Sequence, residues 1–152
     1  MGGSPQYVST ETLMAGNTVT NTRTIVGRKK IVQYITILSD GSEETGTVVY
    51  DSSAVASALG VADPLHCTIR EVKYIASGNS TIAHLLFDAA TDIVAISLPY
   101  SGGGAVLNMN FKELGGLHNT AGTGKTGDIL LTTTGLNSGD TVTLIITIDP
   151  EI

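Results

Sequence analysis

The sequence has no tryptophan, and only 2 phenylalanines and 5 tyrosines occur among its 152 residues. Sites that stack on nucleic-acid bases or sugar rings are built from aromatic side chains, so this scarcity argues against both kinds of site. Cys67 is the single cysteine. It excludes an intramolecular disulfide and a thiolate-rich zinc site, and it fits a protein of a reducing compartment.

Charge is sparse as well, since charged residues make up 14% of the chain, where about a quarter is ordinary. With 8 Lys and Arg against 14 Asp and Glu, the net charge of -6 repels phosphate backbones and anionic lipid. No apolar run approaches the ~20 residues of a membrane span. We therefore expect no nucleic-acid partner and no membrane partner. The N-terminal residues lack the blocks of a signal peptide, which predicts a protein made in a cytosol and kept there, or carried out only inside a larger particle.

Short β-rich runs separated by Gly, Asn, Asp and Pro dominate the remainder. This pattern predicts a single all-β domain, a β-sandwich or jelly roll of about eight antiparallel strands. The predicted strands are 31–38, 45–50, 68–76, 80–87, 93–98, 106–111, 129–134 and 141–148. We expect the turns at 39–42 and 77–79 to close hairpins. One short helix is predicted over 54–59, with Asp51 and Ser52 or Ser53 as its cap and Gly60 as its end.

The amino-acid composition of residues 1–24 differs from that of the domain at 25–152 and predicts an extended N-terminal arm. Thr18, Thr20, Thr22 and Thr24 alternate with other residues, which suits an extended segment. An arm of this polar composition cannot bury a core of its own, so we expect it to anchor the domain to a partner chain.

Four of the 8 cations lie within eight residues where this arm meets the first strand. One interpretation is a solvated strand edge whose positive charges prevent edge pairing. The other is a basic patch for an acidic protein surface. Under the second interpretation the candidate partner-binding residues are Val19, Thr20, Asn21, Thr22, Arg23, Arg28, Lys29 and Lys30.

Two motifs resemble catalytic or nucleotide sites without their context. Residues 122–127 match G-x-G-x-x-G and contain Gly-Lys-Thr, but Asn119 stands at the place of the first Walker glycine and a strand follows, so we interpret the segment as a surface loop. His84 and Asp88 would share one face of a strand and could ligate a metal or act as an acid–base pair. One such pair is weak evidence, so we expect no catalytic residues, no metal and no cofactor.

From about Ile69 to Pro150 the chain resembles the small virion structural proteins of tailed phages that are called decoration or cement proteins. The resemblance rests on three turn-and-strand phrases: Gly78-Asn79-Ser80-Thr81-Ile82 before Leu85-Leu86-Phe87-Asp88, Ser97-Leu98-Pro99-Tyr100, and Lys125 to Thr133. It implies a β-sandwich or jelly-roll knob on the capsid exterior that binds the major capsid protein, stabilises the lattice and forms a homo-oligomer. The alternative is a carbohydrate- or receptor-binding β-sandwich of a phage fibre or tail. A small hydrolase that uses His84 and Asp88 ranks third.

Overall fold

A computed structural model of the chain describes residues 6–14, 16–99 and 106–152, and for residues 6–14 it describes the backbone alone. Its strands are β1 (Gln6–Met14), β2 (Asn17–Gly27), β3 (Lys30–Leu38), β4 (Thr47–Tyr50), β5 (Thr68–Ala76), β6 (Ile82–Phe87), β7 (Ile93–Leu98), β8 (Leu107–Asn110), β9 (Leu117–His118), β10 (Ile129–Thr134) and β11 (Thr141–Asp149). Within these residues the helices are α1 (Ser52–Leu59) and a 3-10 turn (Lys112–Leu114). The predicted all-β class with one short helix is confirmed. Residues 1–5 of the predicted arm and Tyr100 of the second phrase lie outside the described residues.

The described strands form two antiparallel sheets. The larger has the order β1-β2-β3-β11-β5-β8, with β9 also pairing with β5, and the smaller has the order β4-β10-β6-β7. When β1, β2 and β9 are set aside, two four-stranded sheets remain, β3-β11-β5-β8 and β4-β10-β6-β7, and the chain passes between them as in a jelly roll. The extra strands β1 and β2 form a hairpin that extends the larger sheet beside β3.

Two of the predicted hairpins are wrong. Residues 39–46 lead from β3 to β4, which lies in the other sheet, and residues 77–81 lead from β5 to β6 in the same way. Both edges of β3 are already paired, with β2 and with β11. Alternation of apolar and polar residues shows which face of a strand is buried, but it does not show which strand lies alongside. The turn between β6 and β7 does close a hairpin, as its sequence indicates.

The predicted boundary at residue 24 falls inside β2. This strand pairs with β3 from Thr18 to Gly27, so residues 17–24 form part of the larger sheet. On its inner side Val19 is 3% exposed and Ile25 is 6% exposed, and both belong to the core. The alternating threonines therefore mark a half-buried strand, with one face in the core and one face outside.

The core lies between the two sheets and is built from alternating aliphatic residues. Its fully buried large side chains come from both sheets and include Ile31, Ile35, Ile69, Tyr74, Leu144, Leu85, Phe87, Ile129 and Leu131. Helix α1 adds Val55 to this core. The helix begins as predicted, with the Asp51 side chain accepting the Ala54 N–H at 3.1 Å, and it ends at Gly60 in the left-handed conformation.

A buried carboxylate lies at the end of the sandwich where β2 starts. Glu44 is 1% exposed, and its two oxygens accept hydrogen bonds from Asn17 Nδ2 at 2.7 Å and Thr47 Oγ1 at 2.6 Å. The Glu44 N–H donates to Thr133 Oγ1 at 2.9 Å. These bonds join β2, the loop after β3, and β10, so the start of β2 is fixed to both sheets.

Candidate functional site: the outer face of the larger sheet

Threonines cover the outer face of the larger sheet. On β2, β3 and β11 every second residue turns away from the core, and most of these outward positions are threonine: Thr18, Thr20, Thr22, Thr24, Thr36, Thr141, Thr143 and Thr147. Pairing brings Thr20, Thr36 and Thr143 into one row across three strands. This face presents hydroxyl and methyl groups in a regular array, and the charged residues that these strands place on it, Lys30 and Asp149, lie together at one end.

Two large side chains stand among these threonines. Tyr34 is 45% exposed and pairs with Thr22 on one side and Ile145 on the other. Leu38 is 53% exposed and borders a depression of about 410 Å³, whose outward-facing lining is Thr18, Thr20, Thr36, Leu38, Thr141 and Thr143. We call these exposed residues of β2, β3 and β11 the threonine face. An exposed aromatic ring and an exposed leucine among uncharged threonines are features of a surface that binds another molecule.

A second depression, of about 450 Å³, lies at the opposite end of the same face. It is lined by Lys29, Lys30, Arg70, Glu71, Lys112, Thr147 and Asp149, and we call it the basic depression. Arg70 donates to Asp149 Oδ2 at 2.7 Å and to the Gly115 carbonyl at 3.2 Å. The guanidinium is therefore occupied, while the three lysines form no ion pair within the described residues.

The structure divides the predicted partner-binding residues into two groups. Thr20 and Thr22 lie on the threonine face, Arg28 is exposed on the turn between β2 and β3, and Lys29 and Lys30 line the basic depression.

The second group faces inward. Val19 lies in the core, and Asn21 Nδ2 donates to the Val49 carbonyl at 2.9 Å. Arg23 pairs opposite the buried Gln33, and its Nε is buried with no hydrogen-bond partner. Val19 is therefore buried in the sandwich, whereas Asn21 and Arg23 are half-buried on the inward side of β2 and lie off the threonine face.

The interpretation of the cation cluster as a protected strand edge is wrong. Lys30 begins β3, and β3 pairs with β2 on one side and with β11 on the other. Positive charge at this position therefore has no open edge to protect. Sequence reasoning missed Arg70 and Lys112, because only the pairing of β5 with β11 and β8 brings them beside the turn that carries Lys29 and Lys30.

His84 and Asp88 do not form the pair that their spacing allows. His84 Nδ1 lies 2.7 Å from Ser97 Oγ across the β6–β7 hairpin, whereas Asp88 accepts a hydrogen bond from Thr126 Oγ1 at 2.8 Å. No group of three or more possible metal ligands is found in the described part of the chain. No helix among those residues is long and apolar enough to cross a membrane.

The glycine-rich loop packs against helix α1. Gly127 has a φ of +83°, and a Cβ there would lie 2.7 Å from Ser52 Oγ and 2.8 Å from the Leu65 backbone. Strand β10 follows at Ile129, as predicted, and no helix begins there. Lys125 Nζ lies 2.9 Å from His66 Nε2. The loop thus has a packing role that accounts for its last glycine.

Four aspartates lie near the start of α1. Burial, together with the charges of Asp51, Asp88 and Asp63 and against a hydrogen bond that lowers it, raises the pKa of Asp128 to about 6. That bond is donated by the Ser52 N–H to Asp128 Oδ1 at 2.8 Å. This cluster makes the molecule sensitive to pH without forming a metal site.

Comparison with known proteins identifies no family for this chain. No family model and no curated protein matches the sequence. Among solved structures, a carbohydrate binding module of family 29 is 7% identical with a TM-score of 0.32, covering 98% of this chain and 82% of that chain. Two mutants of family 29 modules give TM-scores of 0.32 and 0.35 at 8% and 7% identity, covering 97% of this chain and 80% and 81% of theirs. Likenesses at this level carry no argument about the fold or the ligand of this chain.

Proposed function

We propose that this protein is a non-catalytic virion structural protein that decorates a phage capsid, with the threonine face bound to the major capsid protein. The observation that carries the proposal is the threonine face itself: uncharged threonines with Tyr34 45% exposed and Leu38 53% exposed among them. Half-buried threonines and an exposed aromatic ring suit a protein contact, since interface centres lose charge and gain aromatic residues.

The size of the face favours attachment in many copies. Three strands of about nine residues, rising ~3.3 Å per residue and spaced ~4.8 Å apart, present roughly 400 Å². A standard protein interface buries about 800 Å² on each partner, so a single contact here is modest. A repeating capsid lattice, or a homo-oligomer that engages several subunits at once, multiplies such a contact through effective concentration.

The test begins with mass spectrometry of purified virions for this chain, followed by co-sedimentation with capsids that lack it. Thr20→Lys with Thr36→Lys places two charges on the threonine face and should weaken attachment by at least about tenfold, since desolvating a charge opposes binding. The control is Thr134→Lys, which adds one charge at an exposed position of the smaller sheet. Full attachment by the double variant, with an unchanged melting temperature, would contradict the proposal.

A second candidate function is binding of a glycan or receptor by a fibre or tail protein, and the exposed Tyr34 ring is the observation that favours it. A single aromatic ring on a flat sheet can stack on one sugar ring. The unmodified protein should then be retained on an immobilised polysaccharide, and Tyr34→Ala should not be retained. Neither protein should co-sediment with capsids. This candidate ranks second because the described face offers one such ring.

A further inference from the structure

The basic depression concentrates positive charge in a molecule that is otherwise acidic. The described residues contain two ion pairs, Arg70 with Asp149 and His118 with Glu151, and neither involves Lys29, Lys30 or Lys112. The chain as a whole carries a net charge of -6. Three uncompensated ammonium groups at one depression therefore create a local positive potential that differs from the rest of the surface.

Separate elements of the fold build this depression. The turn between β2 and β3 supplies Lys29, the start of β3 supplies Lys30, the 3-10 turn supplies Lys112, and residues of β5 and β11 complete the lining. Its volume of about 450 Å³ lies within the ~300–1,000 Å³ range of ligand sites. It corresponds to about fifteen water molecules at ~30 Å³ each. The site can therefore hold more than one ligand side chain.

The acidic residues of the lining do not cancel the lysines. Asp149 is already satisfied, because its carboxylate accepts from Arg70 at 2.7 Å and from the Glu151 N–H at 2.9 Å. Glu71 is the remaining carboxylate of the lining. Against it stand three ammonium groups, so the depression attracts anions.

We propose that the basic depression binds clustered carboxylates of an acidic protein segment. The Arg70 guanidinium, whose planar fork would suit phosphate, is already held by the Asp149 carboxylate and the Gly115 carbonyl, so the charges that form no ion pair in the described residues are flexible lysine ammonium groups. Lysines adapt to irregularly spaced carboxylates. A long polyphosphate would also be repelled by the net negative charge of the whole molecule. A short acidic segment responds only to the local positive potential, since charges beyond about 10 Å are screened.

The identity of the partner in this inference rests on the proposed function. If the threonine face binds the capsid subunit, an acidic loop of that subunit would reach the depression beside it. Thr147 belongs to both surfaces, which places the two contacts side by side. The depression would then fix the orientation of the protein on the lattice, since complementary charge determines register more than affinity.

The test is titration of the full chain with a fluorescent hexaglutamate peptide, measured by anisotropy at low and high salt. Lys30→Gln with Lys112→Gln should weaken binding by at least about tenfold, since both ammonium groups line the site. The matched control is Arg28→Gln with Lys73→Gln, which removes the same two charges outside the lining and should weaken binding by less than about threefold. A hexaglutamine peptide should not bind.

Other outcomes would overturn the inference. These are the absence of hexaglutamate binding at low salt, equal losses in the two double variants, or equally tight binding of a short thymidine oligonucleotide. Capsid co-sedimentation separates this inference from the proposed function. If Lys30→Gln with Lys112→Gln loses peptide binding but keeps capsid attachment, the peptide site is supported and does not take part in the capsid contact. If the unmodified chain attaches to capsids through the threonine face but does not bind the peptide, the inference is refuted and the proposed function is retained.

Discussion

At the scale of single residues, Asp128 links stability to pH. Its pKa is about 6 in the folded protein against 3.8 for a free side chain, so between about pH 4 and 6 the folded state binds more protons than the unfolded state. Stability therefore falls as pH rises through this window, and the loss is complete above about pH 6. Asp128→Asn keeps an oxygen for the Ser52 N–H and should stabilise the protein by about 1 kcal/mol at pH 7.5, after discounting for its partial exposure.

Urea unfolding of both proteins at pH 7.5 and at pH 4 checks this expectation. The advantage of the asparagine should disappear at pH 4, where the carboxyl of Asp128 is protonated in the folded state. A stability difference that is the same at both pH values would mean that burial does not penalise this carboxylate.

Glu44 tests a different residue-scale effect, the satisfaction of a buried polar group. Glu44→Ala removes one of the two acceptors of Asn17 Nδ2, the other being the Ser42 carbonyl, and leaves one buried N–H of that amide without a partner, which should cost about 2 kcal/mol. Glu44→Gln offers an oxygen to Asn17 and an amide to Thr47, so its cost should stay below about 1 kcal/mol. Equal costs in urea unfolding would show that the negative charge, and not the hydrogen bonds, holds this site together.

At the scale of elements, the sequence predicted where strands lie better than how they pair. Helix α1 and the strand at Thr68–Ala76 match their predictions because capping and alternation are local signals. The hairpins expected at 39–42 and 77–79 were wrong because the choice of neighbour depends on strands far away in the chain. For the same reason the sequence predicted only part of the basic depression. Lys29 and Lys30 are adjacent in the sequence and were predicted as binding residues, whereas Lys112 lies beside them only because β8 pairs with β5.

The loop at residues 122–127 gives a prediction at this scale. Gly127→Ala would force an L-residue to a φ of +83° and bring its Cβ against Ser52 and Leu65, so it should cost at least about 2 kcal/mol. Gly122→Ala is the matched control, because no atom lies within 4 Å of a Cβ there. Thermal unfolding should separate the two variants clearly. Equal stability would contradict the packing role of this loop.

At the scale of the whole molecule, the two surfaces of interest share one sheet. β11 carries Thr143 in the threonine row and Thr147 at the rim of the basic depression. The extra hairpin of β1 and β2 widens this sheet and adds Thr20 to the row. The described part of the N-terminal segment therefore contributes to the candidate surface through the sheet that it extends.

This arrangement predicts that the N-terminal hairpin and the sandwich unfold together. Val19→Ala removes a side chain that is 3% exposed in the common core and should cost about 2 kcal/mol, which lowers the melting temperature by about 4–8 °C for a chain of this size. Far-UV circular dichroism and the near-UV signal of the buried Tyr50 and Tyr74 should report the same transition. Thr20→Ala, one residue away on the outer face, should shift it by less than about 2 °C. An unchanged melting temperature in Val19→Ala would mean that residues 17–24 are an arm independent of the domain, and the threonine face would then lose its first strand.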